Sequence, residues 1–277
     1  LSADRRCFGF FHPALPGEPL IFVEVALVTG LAGRVARLLD RDAADAAQRA
    51  QAQKADTAIF YSISNCQEGL RGISFGNFLI KQVVEELRAE LPQLVQFSTL
   101  SPIPGFSAWV KAALADPAMV AACMAPEDHA ALMAATGAAP DASDAALLRA
   151  ALGQPQWWET NTAEALRMPL MRLCARYLTG MGTNAGKSKS RPDPVAKFHL
   201  GNGARLERIN WLGNPARRGI EESFGLMVNY LYDIASIEAN HEVFARDEVV
   251  IRSPEVEMLC EMPGAAPKRR RFAPMRG

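Results

Sequence analysis

The sequence predicts an α/β (α+β) fold, in which helices flank a central sheet. Residues 20–28 are dense in β-branched and aromatic side chains, a composition typical of buried strands. Residues 57–100 follow the order strand, glycine-rich loop, helix and strand, which is the order of a βαβ unit. Residues 107–180 are rich in alanine, leucine and methionine at helical spacing. The expected architecture is a sheet core with an added helical segment.

The first predicted elements are a strand, a surface helix and a second strand. The run at 20–28 follows a turn of proline and glycine and is apolar on both faces, so we expect a central strand. Residues 34–54 are alanine-rich, charged and free of glycine and proline, which favours a surface helix. Residues 57–64 form the next apolar run and predict the second strand.

A glycine-rich loop joins this strand to the next helix. Apolar residues recur at helical spacing from Leu79, Pro92 ends the pattern, and residues 95–100 predict a third strand. A helix that begins directly after such a loop offers free backbone N–H groups and a positive dipole end, so the loop is a candidate phosphate site. Its glycine spacing matches neither the Rossmann fingerprint nor the P-loop. A glycine turn without a ligand is the alternative.

The remaining chain predicts shorter elements. Residues 180–194 are rich in Gly, Ser, Asn and Lys and predict a mobile loop. Residues 192–200 predict a short helix and residues 205–211 a strand. Apolar residues between 220 and 234 recur at helical spacing and predict one long helix. The basic tail at 264–277 predicts disorder.

Charge and cysteine content exclude several classes of protein. The 277 residues include 30 basic and 30 acidic side chains, so the basic excess of a general nucleic-acid binder is missing. Apolar runs are far shorter than the roughly 20 residues of a membrane helix. The five cysteines lie far apart, without zinc-site spacing or a dense disulfide framework. The sequence therefore predicts free thiols, no metal site, no membrane or nucleic-acid partner, and a cytoplasmic location.

Seven blocks of sequence are distinctive. They are Arg-Cys-Phe-Gly-Phe-Phe-His-Pro at 6–13, Pro-Gly-Glu-Pro-Leu at 16–20, Phe-Tyr-Ser-Ile-Ser at 60–64, Ser-Pro-Ile-Pro-Gly-Phe at 101–106, Pro-Leu-Met-Arg-Leu-Cys at 169–174, Phe-His-Leu-Gly-Asn-Gly-Ala at 198–204 and Gly-Leu-Met-Val-Asn-Tyr at 225–230. Together they resemble the catalytic domain of the malonyl-CoA decarboxylases, in order, from about residue 5 to 240. The glycine loop also loosely resembles the Gln-x-x-Gly-x-Gly pyrophosphate loop of acyl-CoA N-acetyltransferases.

The resemblance implies a fold, a domain organisation and a reaction. The fold is an acetyltransferase-like (GNAT-type) mixed central sheet flanked by helices. One catalytic domain would span residues 1–263, with a helical insertion at about 107–180, and the family's N-terminal helical domain would be absent from this chain. The implied reaction converts malonyl-CoA to acetyl-CoA and carbon dioxide through a thioester enolate, without a metal or prosthetic group. The implied partners are these two CoA esters and further copies of the chain in a homo-oligomer.

Such a reaction needs a hydrogen-bond donor at the thioester oxygen and a proton donor near the α-carbon. The resemblance assigns these roles to Ser101 and His199, with Ser62 and Tyr232 as secondary candidates. Ser101 is expected to contact the malonyl head as proton acceptor or orienting group, and His199 to donate to the enolate. Which of the two delivers the proton stays open. From the residues alone, a turn serine, a structural histidine, a strand-end serine and a core tyrosine are the alternatives.

The glycine loop is the expected contact for the CoA pyrophosphate. Its candidate residues are Arg71, Gly72, Ile73, Ser74, Phe75, Gly76 and Asn77. The loop of the family can carry a glutamate where this sequence has Ser74, so a role for a loop carboxylate has no support here.

Two alternative functions use the same loop. An acyl-CoA-dependent N-acyltransferase needs a channel for an amine and a base, and no acidic cluster in the sequence indicates one. A non-catalytic acyl-CoA sensor binds without turnover and tolerates replacement of Ser101 or His199. Formation of acetyl-CoA from malonyl-CoA alone separates both alternatives from a decarboxylase.

Overall fold

The computed structural model of the chain describes residues 2–39, 45–70, 76–180, 193–261 and 263. These residues include a six-stranded sheet with the strand order β1-β2-β3-β4-β6-β5. The strands are β1 Arg5–Phe11, β2 Pro19–Val28, β3 Thr57–Asn65, β4 Gln96–Thr99, β5 Arg205–Asn210 and β6 Met227–Leu231.

The sheet is mixed, as predicted. Strands β3 and β4 pair in parallel, whereas the other four neighbouring pairs are antiparallel. Strand β2 has a hydrogen-bonded neighbour on each side, which agrees with the central strand expected from its two apolar faces. The α/β fold class with a mixed central sheet is thereby confirmed.

Helices flank this sheet and occupy the segment predicted to be helical. They are α1 Val35–Leu39, α2 Asp45–Lys54, α3 Gly76–Glu90, α4 Phe106–Ala113, α5 Pro117–Ala121, α6 Pro126–Thr136, α7 Asp144–Leu152, α8 Thr162–Thr179, α9 Pro194–Gly201, α10 Arg217–Ser223, α11 Ile237–Asp247 and α12 Pro254–Cys260. The assignment of α4 to α8 to an insertion within a single domain stays a prediction.

The βαβ unit forms as the sequence indicated, with α3 between the parallel strands β3 and β4. Helix α3 is amphipathic, and its side chains at Ile80, Val83, Val84 and Leu87 are at most 2% exposed in the main core cluster. Each fully buried aliphatic side chain of this kind contributes about 1.5–3 kcal/mol. Helix α3 therefore shares one core with buried side chains of both parallel strands, Phe60 of β3 and Phe97 of β4.

The prediction of one long helix between residues 220 and 234 is wrong. Helix α10 ends at Ser223, because Phe224 and Gly225 adopt left-handed backbone angles, with φ of 53° and 77°. The chain then forms β6, whose five residues are all buried between β4 and β5. A short apolar run that is buried on every side has the same pattern in a helix and in a strand, so spacing alone misassigned it.

Other expectations changed in detail or fall outside the described residues. The predicted surface helix at 34–54 appears as α1 and α2, with residues 40–44 outside the described part. The predicted loop at 180–194 falls mostly outside it, as does the predicted disordered tail. Within the described ranges, no helix is both long and apolar enough to cross a membrane.

Candidate functional site

Ser101 lies where the two parallel strands separate. The last pair between β3 and β4 is Phe60 with Thr99, and β3 then continues to Asn65 without a further pair to β4. Ser101 instead forms a bridge to Val228 of β6, with N–O distances of 2.8 and 2.9 Å. The carboxyl ends of parallel strands that separate are where open α/β sheets bind ligands. Ser101 therefore occupies a position suited to a reacting group.

Helix α9 brings His199 to this position. The imidazole is 4% exposed, and its Nε2 lies 3.1 Å from the Ser101 Oγ. Its Nδ1 lies 2.8 Å from the hydroxyl of Tyr232, which directly follows β6. The ring also stacks on Tyr230, with centroids 4.7 Å apart. The structure thus brings together three of the four predicted catalytic side chains.

The hydrogen bonds around His199 define a direction. Within the described residues, the buried Tyr232 hydroxyl has His199 Nδ1 as its hydrogen-bond partner. A buried phenol needs an acceptor for its proton, so we infer that Tyr232 donates to Nδ1. The neutral ring then has its proton on Nε2, directed at the Ser101 Oγ, and Ser101 donates in turn to Thr99 Oγ1 at 2.9 Å.

Burial sets the protonation states of this line of hydrogen bonds. It lowers the pKa of His199 to about 3, because the charged imidazolium is desolvated. It raises the pKa of Tyr232 for the same reason, since the phenolate is the charged form. At neutral pH the ring is therefore neutral and the phenol protonated, so the Nε2 proton is available for donation to a bound substrate.

The depressed pKa of His199 predicts a loss of stability in acid. Below the ordinary value of 6.5 the unfolded chain binds a proton that the folded ring takes up only near pH 3. The free energy of unfolding should therefore fall by about 2 kcal/mol between pH 7 and pH 5 from this ring alone. Urea unfolding at both pH values measures this fall in the free energy of unfolding. His199→Asn is the control, because a chain without the imidazole should not show the fall. Equal pH dependence in both proteins would contradict a neutral buried ring.

The other predicted site residues are not joined to this line. Ser62 pairs with Glu24 on β2, and no hydrogen bond links it to Ser101, His199 or Tyr232 among the residues described. Its catalytic role stays a prediction. The loop residues Arg71, Gly72, Ile73, Ser74 and Phe75 lie outside the described residues, and Gly76 and Asn77 form the start of α3.

Thr99 and Asp193 belong to the site and were not predicted. Thr99 Oγ1 accepts hydrogen bonds from Ser101 Oγ and, at 3.2 Å, from the backbone N–H of Tyr230. Asp193 is the N-cap of α9. The pattern of Asp followed by Pro before a helix was a readable signal for Asp193, whereas Thr99 in a short buried strand gave none.

The five cysteines form no disulfide with one another. Cys7 and Cys66 are exposed, Cys123, Cys174 and Cys260 are buried, and all five are free thiols. Where the chain is described, no three His, Cys, Asp or Glu side chains are grouped as a metal ion would require. Catalysis without a metal or prosthetic group stays a prediction.

Sequence comparison supports the resemblance. The chain matches the family model of the malonyl-CoA decarboxylase C-terminal domain over residues 1–270. The mitochondrial malonyl-CoA decarboxylase of Anser anser anser is 39% identical over 256 residues, which cover 91% of this chain and 49% of that protein. The mitochondrial enzyme of Mus musculus is 39% identical over 235 residues, covering 82% and 45%. The chain thus spans about half the length of the curated relatives it matches.

Solved structures give the same result. The crystal structure of malonyl-CoA decarboxylase from Rhodopseudomonas palustris aligns with a TM-score of 0.76 at 45% identity, covering 93% of this chain and 53% of that one. The structure from Agrobacterium vitis aligns with a TM-score of 0.73 at 46% identity, covering 93% and 57%. By family model, sequence identity and fold, the chain belongs to the malonyl-CoA decarboxylase family.

Proposed function

We propose that this chain is a carboxy-lyase that converts malonyl-CoA to acetyl-CoA and carbon dioxide. The observation behind the proposal is the buried line of hydrogen bonds from Tyr232 through His199 and Ser101 to Thr99, at the end of the parallel strands. The names of the relatives support the same reaction. The activity is proposed for this chain by itself, which is about half as long as those relatives.

The proposed reaction proceeds through an enolate. The bond between the α-carbon and the carboxylate breaks, carbon dioxide leaves, and the electron pair moves onto the thioester oxygen. We assign the Nε2–H of His199 as donor to that oxygen and the Ser101 hydroxyl as the group that orients the malonyl head. Protonation of the α-carbon then gives acetyl-CoA, with the proton replaced from solvent. Either Ser101 or His199 delivers this proton to the α-carbon.

A neutral imidazole suits this reaction better than an imidazolium. A cation beside the malonyl carboxylate would stabilise the ground-state charge that must disperse as carbon dioxide leaves. Ser101 and His199 are only 5% and 4% exposed, so water does not solvate that charge at their side chains either. Both features favour the enolate-like transition state over the bound substrate.

We propose that the CoA pyrophosphate binds at the start of α3. Gly76 and Asn77 form its first turn, where backbone N–H groups are unpaired and the helix dipole is positive. The preceding loop, residues 71–75, completes the proposed contact. Ser62 on β3 is kept as a secondary catalytic candidate.

Assembly and location stay predictions of the sequence. A homo-oligomer with an N-terminal helical domain is what the resemblance implies, and a cytoplasmic location is what the composition implies. The curated relatives from goose and mouse are named as mitochondrial proteins.

The proposal is tested by incubating the purified chain with malonyl-CoA and no acyl acceptor. We expect acetyl-CoA and carbon dioxide to form in equal amounts. Chromatography measures the acetyl-CoA, and trapping as carbonate measures the carbon dioxide. The chain could instead be folded and bind CoA in calorimetry, yet form no acetyl-CoA. That result would overturn the decarboxylase hypothesis and favour the acyl-CoA sensor. Turnover that requires an added amine, with the acyl group found on that amine, would identify an acyltransferase.

A further inference from the structure

Asp193 is a buried carboxylate that accepts four hydrogen bonds from the described part of the chain. The residue is 2% exposed and immediately precedes α9. Its Oδ1 accepts the backbone N–H groups of Val195 and Ala196 at 2.9 and 3.2 Å. Its Oδ2 accepts the backbone N–H of Gly105 and the hydroxyl of Tyr177, both at 3.3 Å. The two oxygens therefore serve two different parts of the chain.

These two parts hold the two proposed catalytic side chains. Oδ1 caps the helix that has His199 in its last turn. Oδ2 holds Gly105, the last residue of the turn that starts at Ser101 and the N-cap of α4. Ser101 and His199 are 98 positions apart in sequence, so no local geometry sets the 3.1 Å between Oγ and Nε2. Asp193 connects both segments through one side chain.

The packing around this carboxylate is close. A Cβ atom on Gly105 would lie 2.4 Å from the Tyr177 hydroxyl and 3.6 Å from Asp193 Oδ2. The next residue, Phe106, packs its ring on Tyr177 and on Phe224, with centroids 5.8 and 6.0 Å apart. Atoms held this closely transmit a displacement of one segment to the other.

Helix capping alone does not explain an aspartate here. Helices α7 and α12 are capped by Ser143 and Ser253 through a single hydroxyl each, and serine is as good an N-cap as aspartate. Burial raises the pKa of Asp193, so the carboxylate is held at a cost in desolvation. What the carboxylate adds over a serine is the reach of Oδ2 to Gly105 and Tyr177.

We propose that Asp193 is a positioning residue, whose Oδ2 holds the Ser101 turn at the distance from His199 that decarboxylation requires. The inference rests on the proposed function. Its physical reason is that small misplacements between reacting groups cost about 10²-fold in rate even when every group is present.

The test compares two substitutions of Asp193. Asp193→Ser keeps a good N-cap and loses both bonds of Oδ2. We expect kcat to fall by about 10- to 100-fold, with the KM for malonyl-CoA close to that of the unmodified chain. The chain should still fold, with a modestly lower unfolding midpoint because the Gly105 N–H loses its acceptor. Asp193→Asn keeps one oxygen to accept the N–H groups of the cap but places an amide NH2 at the position of Oδ2. An amide nitrogen donates and cannot accept from Gly105, so kcat should stay low as in Asp193→Ser. Tyr177→Phe removes one of the two bonds and should have a smaller effect.

Asp116→Ser is the matched control. Asp116 also precedes a proline and caps a helix, α5, through two backbone N–H groups. No hydrogen bond to another segment is seen for it within the described residues, so its replacement should leave kcat unchanged.

Two results would overturn the inference. One is unchanged kcat in Asp193→Ser, and the other is a joint fall of kcat, nucleotide affinity and unfolding midpoint, which marks a purely structural residue. If the unmodified chain forms no acetyl-CoA, the proposed function fails instead. Positioning is then read from the ¹⁵N chemical shift of His199 Nε2, which should move in Asp193→Ser and stay fixed in Asp116→Ser.

Discussion

Replacement of His199 by asparagine is expected to lower kcat for malonyl-CoA decarboxylation by about 10²–10⁴-fold, the usual contribution of one acid–base group. The asparagine side chain places a polar atom near the position of Nδ1 and so keeps a partner for Tyr232. It is too short to reach the Ser101 Oγ, which accepts from Nε2 at 3.1 Å. The substitution therefore removes only the edge of the ring assigned to the enolate.

Nucleotide affinity separates this role from a structural one. Because the ring is assigned to chemistry, the KM for malonyl-CoA and the affinity for CoA should change little. Steady-state kinetics and calorimetry measure both, and His12→Asn is the control, since His12 is exposed and its Nδ1 accepts from the nearby Ala14 N–H. Loss of CoA binding in parallel with kcat would contradict the assignment.

The local elements of the fold were predictable because their signals are local. Glycines and Pro92 delimit α3, and the apolar runs on either side give β3 and β4, so the order strand, helix, strand follows from spacing. The parallel pairing of β3 and β4 was left open by the sequence and is seen in the structure. Strand β6 was misassigned because burial on both faces removes the alternation that distinguishes a strand. Its place between β4 and β5 depends on pairings far away in sequence.

In the candidate site, too, local features were predictable from the sequence and contacts between distant residues were not. Ser101 and His199 were assigned through the resemblance of two blocks, and the sequence held no information on the 3.1 Å between them. The protonation of His199 follows from burial, which only the packed structure determines. Asp193 had a readable capping signal, but its second oxygen bonds a residue 88 positions away. Contacts of that range depend on the tertiary fold and leave no pattern in one sequence.

Ser101→Ala is the second substitution expected to have a large effect, a fall in kcat of about 10²–10³-fold, as for loss of one preorganised donor in a dry site. The substitution removes the acceptor for the Nε2–H of His199 and the hydroxyl that donates to Thr99 Oγ1. Thr99 Oγ1 still accepts the hydrogen bond from the backbone N–H of Tyr230. An unpaired buried N–H also costs about 1–3 kcal/mol of stability. Unfolding curves should therefore accompany the kinetics.

The double variant Ser101→Ala with His199→Asn decides whether the two side chains act together. If they work through their shared hydrogen bond, the first loss already removes most of what the second contributes. We then expect the double variant to be within about tenfold of the slower single variant, far from the product of the two losses. Multiplicative losses in kcat would mean that Ser101 and His199 act on the substrate independently. The hydrogen bond between Ser101 and His199 would then have no catalytic role.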